Sequence, residues 1–259
     1  MRATAIAAIL LAFAGPAAAE ETRPSCAGPV EIARAEVVRV EPTNDELVLK
    51  DGRAVHLEGI RLPHAGQDHA PAWIADQAYD ALDALATGRR LKVTAVPPKE
   101  DRYDRVRGQV FGEDGWLQIA LLRKGLARVD IAPDRTECAA QFYAAETAAR
   151  DAGAGLWALP AYRVRGPNGL SSDIGAFELV EGKVLAVDVK GGRAYLDFGT
   201  DWRKDFTATI APEDMKTFRR AGADPRDYAG KTVRLRGVVQ LYHGPEIEIA
   251  NPQQVELAR

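Results

Sequence analysis

WLQIALLRKGLA, residues 116–127, follows the stretch RVRGQVF of residues 105–111 across the turn Gly112–Gly115. Alternating apolar residues in the earlier stretch predict a strand. Leu117–Lys124 predicts a short helix that ends at Gly125, because glycine readily adopts the left-handed conformation that follows a helix. A strand, a tight turn and a helix in succession therefore define the centre of the first domain.

Further elements surround this centre. Three strands precede it at residues 36–40, 47–49 and 55–57, and Lys50–Gly52 forms a hairpin turn between the last two. Helical spacing of apolar residues predicts a helix over 73–85 that ends at Gly88, followed by a strand at 91–96. Asp134 is a candidate N-cap for a third helix that continues to Gly153. This order predicts a small barrel with three helices, in a fold that is mostly β with α.

Residues 166–176 have the glycine, proline and serine content of a linker. Beyond it the predicted strands are 177–189, 194–198, 206–210, 232–239 and 247–249, with one helix at 212–220. Three strands, a helix and two strands fit a second small five-stranded β-barrel. The closing segment Tyr242–Val255 resembles the end of OB-fold nucleic-acid-binding domains. The predicted domains are therefore 34–165 and an OB-like domain at 177–259.

The first 19 residues predict a secretory signal peptide. Arg2 precedes the apolar run Ala5–Ala14, and Ala17–Ala19 supplies a small-residue cleavage site. A short membrane anchor is the alternative, which the brevity of the run and its Gly-Pro break disfavour. Residues 20–33 would then form an N-terminal arm. We expect an exported protein, periplasmic or secreted, without membrane association after cleavage.

The two cysteines of the chain, Cys26 and Cys138, are expected to form a disulfide. An even number of cysteines in an exported chain favours pairing. The composition is that of an ordinary soluble protein, with 46% hydrophobic and 27% charged residues and a formal net charge of −3. This balance argues against a uniformly basic surface, which many nucleic-acid-binding proteins carry, but it permits a local basic patch.

The stretch from Ala35 to Tyr162 resembles the staphylococcal nuclease (thermonuclease-like) family. The likeness is carried by Asp101–Arg105, by Trp116–Ala127 and by the third helix through Leu156–Trp157. It implies a nuclease-type five-stranded OB-like barrel with three helices. Members of the family hydrolyse phosphodiester bonds in DNA and RNA with a calcium ion. Their site combines metal-binding carboxylates, a glutamate proposed as base and two phosphate-binding arginines.

The resemblance carries the second phosphate-binding arginine over to Arg105, which follows Tyr103–Asp104. A guanidinium at this position would bind phosphate oxygens in bidentate fashion. The alternative is a surface arginine that pairs with Asp101 or with Asp104.

The other site positions of the family hold residues of different chemistry. Arg61 replaces a calcium carboxylate, His64 replaces the glutamate base, and His56 replaces the first arginine. The second metal carboxylate falls near Asp45 or Glu46. A guanidinium about 5 Å from a divalent cation costs about 6–7 kcal/mol at an effective dielectric constant of about 20. We therefore expect the calcium site to be lost, with no metal and no other cofactor bound.

These substitutions favour an exported thermonuclease-like protein with a degenerate catalytic site that binds nucleic acid, another anion or a protein. Arg105, Arg61 and His56 are its candidate anion-binding residues. An active endonuclease, which cleaves DNA or RNA through Arg105 with His64 or Glu46 as base, is the first alternative. A structural periplasmic interaction protein is the second. The expected partners are single-stranded DNA or RNA, or a periplasmic protein.

Overall fold

The computed structural model describes residues 24–66 and 71–258. The predicted signal peptide and the start of the predicted arm lie outside the described residues. The buried apolar residues form two cores, one between Ala27 and Tyr162 and the other between Leu170 and Ile249. The fold is a mixture of helix and sheet in which sheet predominates, as the sequence predicted.

The described part of the first domain contains eight strands and three helices. The strands are β1 (Val30–Glu41), β2 (Glu46–Leu49), β3 (Ala54–Leu57), β4 (Ile60–Arg61), β5 (Arg90–Thr94), β6 (Val106–Gly112), β7 (Gly115–Trp116) and β8 (Arg128–Val129). The helices are α1 (Ala72–Ala86), α2 (Leu117–Arg123) and α3 (Ala139–Asp151). Antiparallel pairing in the order β3-β2-β1-β5-β6, together with a parallel β3–β6 pair, closes a five-stranded barrel. The predicted barrel with three helices is confirmed.

The N-terminal part of the chain is more closely integrated with this barrel than the sequence suggested. β1 begins at Val30, inside the predicted arm, and it pairs with β5 through Ile32 opposite Val93. The predicted disulfide between Cys26 and Cys138 is confirmed, with Cα atoms 5.3 Å apart. It joins the segment before β1 to the start of α3.

The second domain contains seven strands and one helix. They are β9 (Phe177–Lys183), β10 (Ala186–Lys190), β11 (Arg193–Asp197), β12 (Thr207–Ile210), α4 (Met215–Arg220), β13 (Thr232–Tyr242), β14 (Gly244–Glu248) and β15 (Val255–Leu257). The sheet runs β10-β11-β12-β14-β13-β15, and β9 also pairs with β13. β9 and β10 follow each other in the chain, and β10 pairs with β11 whereas β9 pairs with β13. If they are counted as one bent strand, the sheet closes on itself.

Two features of the second domain and the segment before it differ from the prediction. The expected strand 177–189 is divided because its backbone changes partners: the Val184 N–H donates to Lys231, whereas the Leu185 N–H donates to Asp197. The expected linker is also structured, since its residue Leu170 is completely buried in the second core. In residues 24–66 and 71–258, no helix is long and apolar enough to cross a membrane.

Candidate functional site

A cleft of about 330 Å³ opens at the end of the barrel where β2 begins and β3 ends. It brings together four residues that the sequence nominated, which are His56, Arg61, His64 and Arg105. The fifth, Glu46, contacts Arg105 directly. The remaining lining residues include Asn44, Asp45, Glu58, Ile60, Asp130 and Ala132.

Arg105 is held by two carboxylates. Its guanidinium lies 3.0 Å from Glu46 and 2.7 Å from Asp101, and its side chain is only 19% exposed. The pairing with Asp101 was one of the alternatives left open by the sequence, and the ion pair with Glu46 adds a second partner. Burial disfavours the charge of Arg105, but hydrogen bonds with Asp101 and Glu46 outweigh this effect and raise its pKa. Arg105 is therefore charged and held in position, and the carboxylates of Glu46 and Asp101 balance its charge.

The turn before Arg105 explains how this side chain reaches the cleft. The Asp101 carboxylate accepts hydrogen bonds from the backbone N–H groups of Tyr103, at 2.8 Å, and Arg105, at 3.1 Å. Asp104 has φ of 58°, a left-handed conformation that aspartate tolerates better than most residues. Burial alone would raise the pKa of Asp101, but the hydrogen bonds from Arg105 and from the turn lower it. The turn thus stabilises the ionised form of Asp101.

Tyr103 lies beside these arginines. Its side chain is 62% exposed, and the guanidinium carbons of Arg102 and Arg105 lie 4.8 Å and 5.3 Å from its ring centroid. We call Arg102, Tyr103 and Arg105 the tyrosine ledge. An exposed aromatic ring can stack a planar base, and the neighbouring guanidinium groups can approach the phosphates of the same nucleic-acid strand.

Arg61 is positioned between the two domains. Its Nε donates to the carboxylate of Asp130 at 3.0 Å, and its guanidinium carbon lies 5.0 Å from the ring centroid of Phe177. Its side chain is partly buried. Asp130 was not singled out from the sequence, because it reaches Arg61 across a separation of 69 residues that no local pattern reveals.

His64 contacts Asp45, one of the two carboxylates that the sequence offered as a metal ligand. Its Nε2 lies 3.2 Å from Oδ1 of Asp45, and both side chains are largely buried. The other oxygen of Asp45 accepts the Leu62 N–H at 3.3 Å. The sequence offered Asp45 and Glu46 as alternatives, and the structure places Asp45 in the cleft and Glu46 on Arg105.

His56 lies at the exposed side of the cleft. Its Nδ1 is 3.2 Å from the carbonyl oxygen of Asn44. Its position on β3 therefore places an imidazole on the cleft wall, near the residues that precede β2.

A second ionic cluster borders the cleft through Glu58. Arg107 lies 2.8 Å from Glu58 and 2.7 Å from Asp134. Hydrogen bonding to Asp134 is the largest cause of the raised pKa of Arg107. This contact also corrects the assignment of Asp134 as an N-cap, since α3 begins five residues later, at Ala139, and the Asp134 carboxylate binds Arg107 instead.

Three arginines at the cleft are thus each paired with a carboxylate. Arg61 binds Asp130, Arg105 binds Glu46, and Arg107 binds Glu58. Within the part of the chain that the structure describes, no group of three or more His, Cys, Asp or Glu side chains is arranged to hold a metal ion.

The barrel of the first domain is consistent with the staphylococcal nuclease fold, and comparison with known proteins agrees. Residues 54–159 match the family described as staphylococcal nuclease homologue. The match runs from β3 through α3 to the turn that follows it.

Two curated relatives are similar to part of the chain. The chain is 33% identical over 135 residues to "Probable endonuclease lcl3" of Pyrenophora tritici-repentis (strain Pt-1C-BFP), covering 48% of each protein. It is 32% identical over 115 residues to "Staphylococcal-like nuclease CAN1" of Arabidopsis thaliana, covering 44% of this chain and 32% of the relative. The chain therefore spans about half of the first relative and about a third of the second.

Proposed function

We propose that the first domain is a nuclease-family module that binds single-stranded nucleic acid at the tyrosine ledge without calcium-dependent cleavage. One observation carries the proposal: the carboxylates that the sequence offered to a metal lie against cationic or polar groups of the protein, although Oδ1 of Asp45 accepts no hydrogen bond from the residues that the structure describes. Asp45 contacts His64 and the Leu62 N–H, while Glu46 binds Arg105.

The chemistry of this donor set does not fit calcium. Calcium in proteins takes six to eight oxygen ligands, of which carboxylates supply most of the charge. Binding it here would require Asp45 and Glu46 to exchange their present partners for the ion. It would also bring the ion towards Arg61: an unpaired guanidinium about 5 Å away would cost about 6–7 kcal/mol, and the ion pair of Arg61 with Asp130 offsets part of this repulsion. No step of the proposed function therefore uses a metal.

Binding draws on the tyrosine ledge. A base stacked on an exposed aromatic ring contributes about 1–3 kcal/mol. The ion pairs of Arg105 reduce its affinity for phosphate, because a phosphate must compete with Glu46 and Asp101. We therefore expect weak binding that falls steeply with salt.

The test combines a cleavage assay and a retention assay on the purified protein. Labelled single-stranded DNA and RNA are incubated with calcium or with a chelator, and retention on immobilised DNA is followed against salt. We expect intact oligonucleotides in both conditions and retention that weakens in Tyr103→Ala and Arg105→Ala. Arg226→Ala is the matched control, since Arg226 is exposed, pairs with a carboxylate and lies in the second domain.

A working phosphodiesterase is the second candidate, and the names of both relatives favour it. In that case Arg105 would bind phosphate, and His64 or Glu46 would act as base. Calcium-dependent cleavage that disappears in Arg105→Ala would establish this candidate and overturn the first. Absence of both cleavage and salt-dependent retention would instead favour a role in protein contacts alone.

We further propose that the protein is exported and that its second domain is an OB-like barrel. The Cys26–Cys138 disulfide supports export, because disulfides persist mainly in oxidising compartments. The order of strands in the second domain, with α4 before β13, supports an OB-like barrel. N-terminal sequencing of the protein from a periplasmic fraction tests export, and a mature protein that retains Met1 would contradict it.

A further inference from the structure

The second domain carries a basin of about 340 Å³ that the proposed function does not use. Its floor lies on one face of the sheet. Asp197 on β11 is opposite Thr207 on β12, which is in turn opposite Glu246 on β14, so these three side chains form a row across the strands. Asp188 on β10 also lines the basin. The floor is therefore polar and acidic.

The rim of the basin is aromatic. Trp202 and Tyr242 are 54% and 66% exposed, and the ring of His243 lies between them, with centroids 5.0 Å and 4.8 Å away. The other aromatic residues of this region behave differently: Phe198 and Phe206 pack together in the core. Two large exposed rings, one from the loop between β11 and β12 and the other at the end of β13, are thus a feature of the basin and not of the core.

The charge of the basin excludes a nucleic acid as its occupant. Asp188, Asp197 and Glu246 line it, while Lys190 is the fixed positive charge among the lining residues. A phosphate backbone would therefore face net repulsion. Burial raises the pKa of Asp197 and of Glu246, which indicates that both carboxylates are partly removed from water. A cation that entered would meet poorly solvated carboxylates below and aromatic faces at the side.

We propose that this basin binds the ammonium or guanidinium group of a lysine or arginine side chain presented by a partner protein. Cations bind over the faces of tryptophan and tyrosine, and nearby carboxylates strengthen the attraction. Trp202 already makes one such contact, because the guanidinium carbon of Arg203 lies 5.3 Å from its ring centroid, so an incoming cation must use the other face of the ring or displace Arg203. The highly exposed rim is open enough to admit a side chain whose backbone stays outside the basin.

The probe is a fluorescein-labelled peptide, Gly-Arg-Gly-Lys-Gly-Arg-Gly, followed by fluorescence anisotropy with the full chain. The comparison peptide contains citrulline in place of arginine and acetyl-lysine in place of lysine, which removes the charges at nearly constant size. We expect the basic peptide to bind and the neutral peptide to bind at least about tenfold more weakly, as loss of cation–π and ionic contacts implies.

Variants locate the binding site. Trp202→Ala, Tyr242→Ala and Asp197→Asn should each weaken binding of the basic peptide by about tenfold. Asp80→Asn is the matched charge control, because Asp80 is exposed on α1 of the other domain. Trp202 and Tyr242 are more than half exposed, so their removal should leave the thermal unfolding of the protein unchanged.

Three results would overturn the proposal. Equal binding of the charged and neutral peptides would show that charge is not recognised. Unchanged binding in all three basin variants would place the peptide elsewhere. Free arginine amide that binds as tightly as the peptide would assign the basin to a small amine instead of a partner protein. None of these measurements depends on nucleic-acid binding or cleavage, so the proposed function can fail without affecting this site.

Discussion

Replacement of Arg236 by methionine should lower the free energy of unfolding by about 3–5 kcal/mol. The side chain of Arg236, on β13, is 1% exposed, and its guanidinium lies 2.9 Å from Glu146 of α3 and 2.6 Å from Glu256. It also donates to the Val129 carbonyl at 3.1 Å and lies 4.5 Å from the ring centroid of Tyr143. Burial alone would lower the pKa of this guanidinium, but Glu146 and its other neighbours raise it.

The expected loss comes from what the substitution leaves behind. Methionine keeps much of the side-chain length and removes the charge, so Glu146, whose side chain is 0% exposed, loses its closest cation. Its remaining partners are the Val129 N–H at 2.7 Å and Arg150 at 3.4 Å. A loss of about 3–5 kcal/mol corresponds to a decrease in Tm of roughly 6–20 °C for a chain of this size. Urea unfolding followed by tryptophan fluorescence measures the free energy, and thermal unfolding followed by circular dichroism measures Tm.

A matched substitution two residues away separates burial from charge. Arg234 lies on the same strand and pairs with Glu181 at 2.6 Å, but these side chains are 22% and 35% exposed and both belong to the second domain. Arg234→Met should therefore cost no more than about 1 kcal/mol. Because Arg236 and Glu146 join the two domains, only Arg236→Met should also divide unfolding into two transitions. Equal losses in the two variants, with one transition in each, would refute the reasoning.

Three further predictions concern stability. Reduction of the Cys26–Cys138 disulfide, which spans 112 residues, should destabilise the protein by about 4–5 kcal/mol in guanidinium unfolding, and an unchanged midpoint would contradict its structural role. Gly59→Ala should cost about 1–3 kcal/mol more than Gly52→Ala, since both have positive φ but only at Gly59 would a Cβ overlap a buried phenylalanine ring of α3. Burial raises the pKa of Tyr143, so the neutral phenol is favoured in the folded state and its contribution to stability is lost as pH rises above about 10. Tyr143→Phe should remove that component, and parallel stability–pH curves for the variant and the wild type would disprove it.

Local elements were predictable because their signals lie within a few residues of one another. The helical spacing over 73–85 located α1 at Ala72–Ala86, and Gly125 ended α2 close to where it was expected. Asp134 shows the limit of such signals. Its position suits an N-cap, but Arg107 on a neighbouring strand binds its carboxylate at 2.7 Å. A charge-assisted contact formed in the folded state overrode the local preference.

The sequence predicted several of the residues that line the cleft, but it did not predict which ion pairs they form. The likeness to a nuclease family nominated His56, Arg61, His64 and Arg105, and all four line one cleft. Asp130 was missed because it comes from the segment after β8. The buried Arg236 was missed for a different reason, because an arginine in an alternating strand is normally assigned to the solvent face. Its partner Glu146 is 90 residues away.

The charge on Asp45 relates the two replacements that the sequence predicts in the cleft, Arg61 and His64. A carboxylate that is only 6% exposed is costly unless a cation or hydrogen-bond donors compensate it. In a calcium-dependent relative the ion would do so. Here the Leu62 N–H and His64 approach its two oxygens, at 3.3 Å and 3.2 Å. Arg61, which the sequence predicts at the position of the other metal carboxylate, has its own carboxylate in Asp130. Changing Arg61 alone would leave His64 against Asp45, so we expect that recovery of a calcium site would need both residues to change.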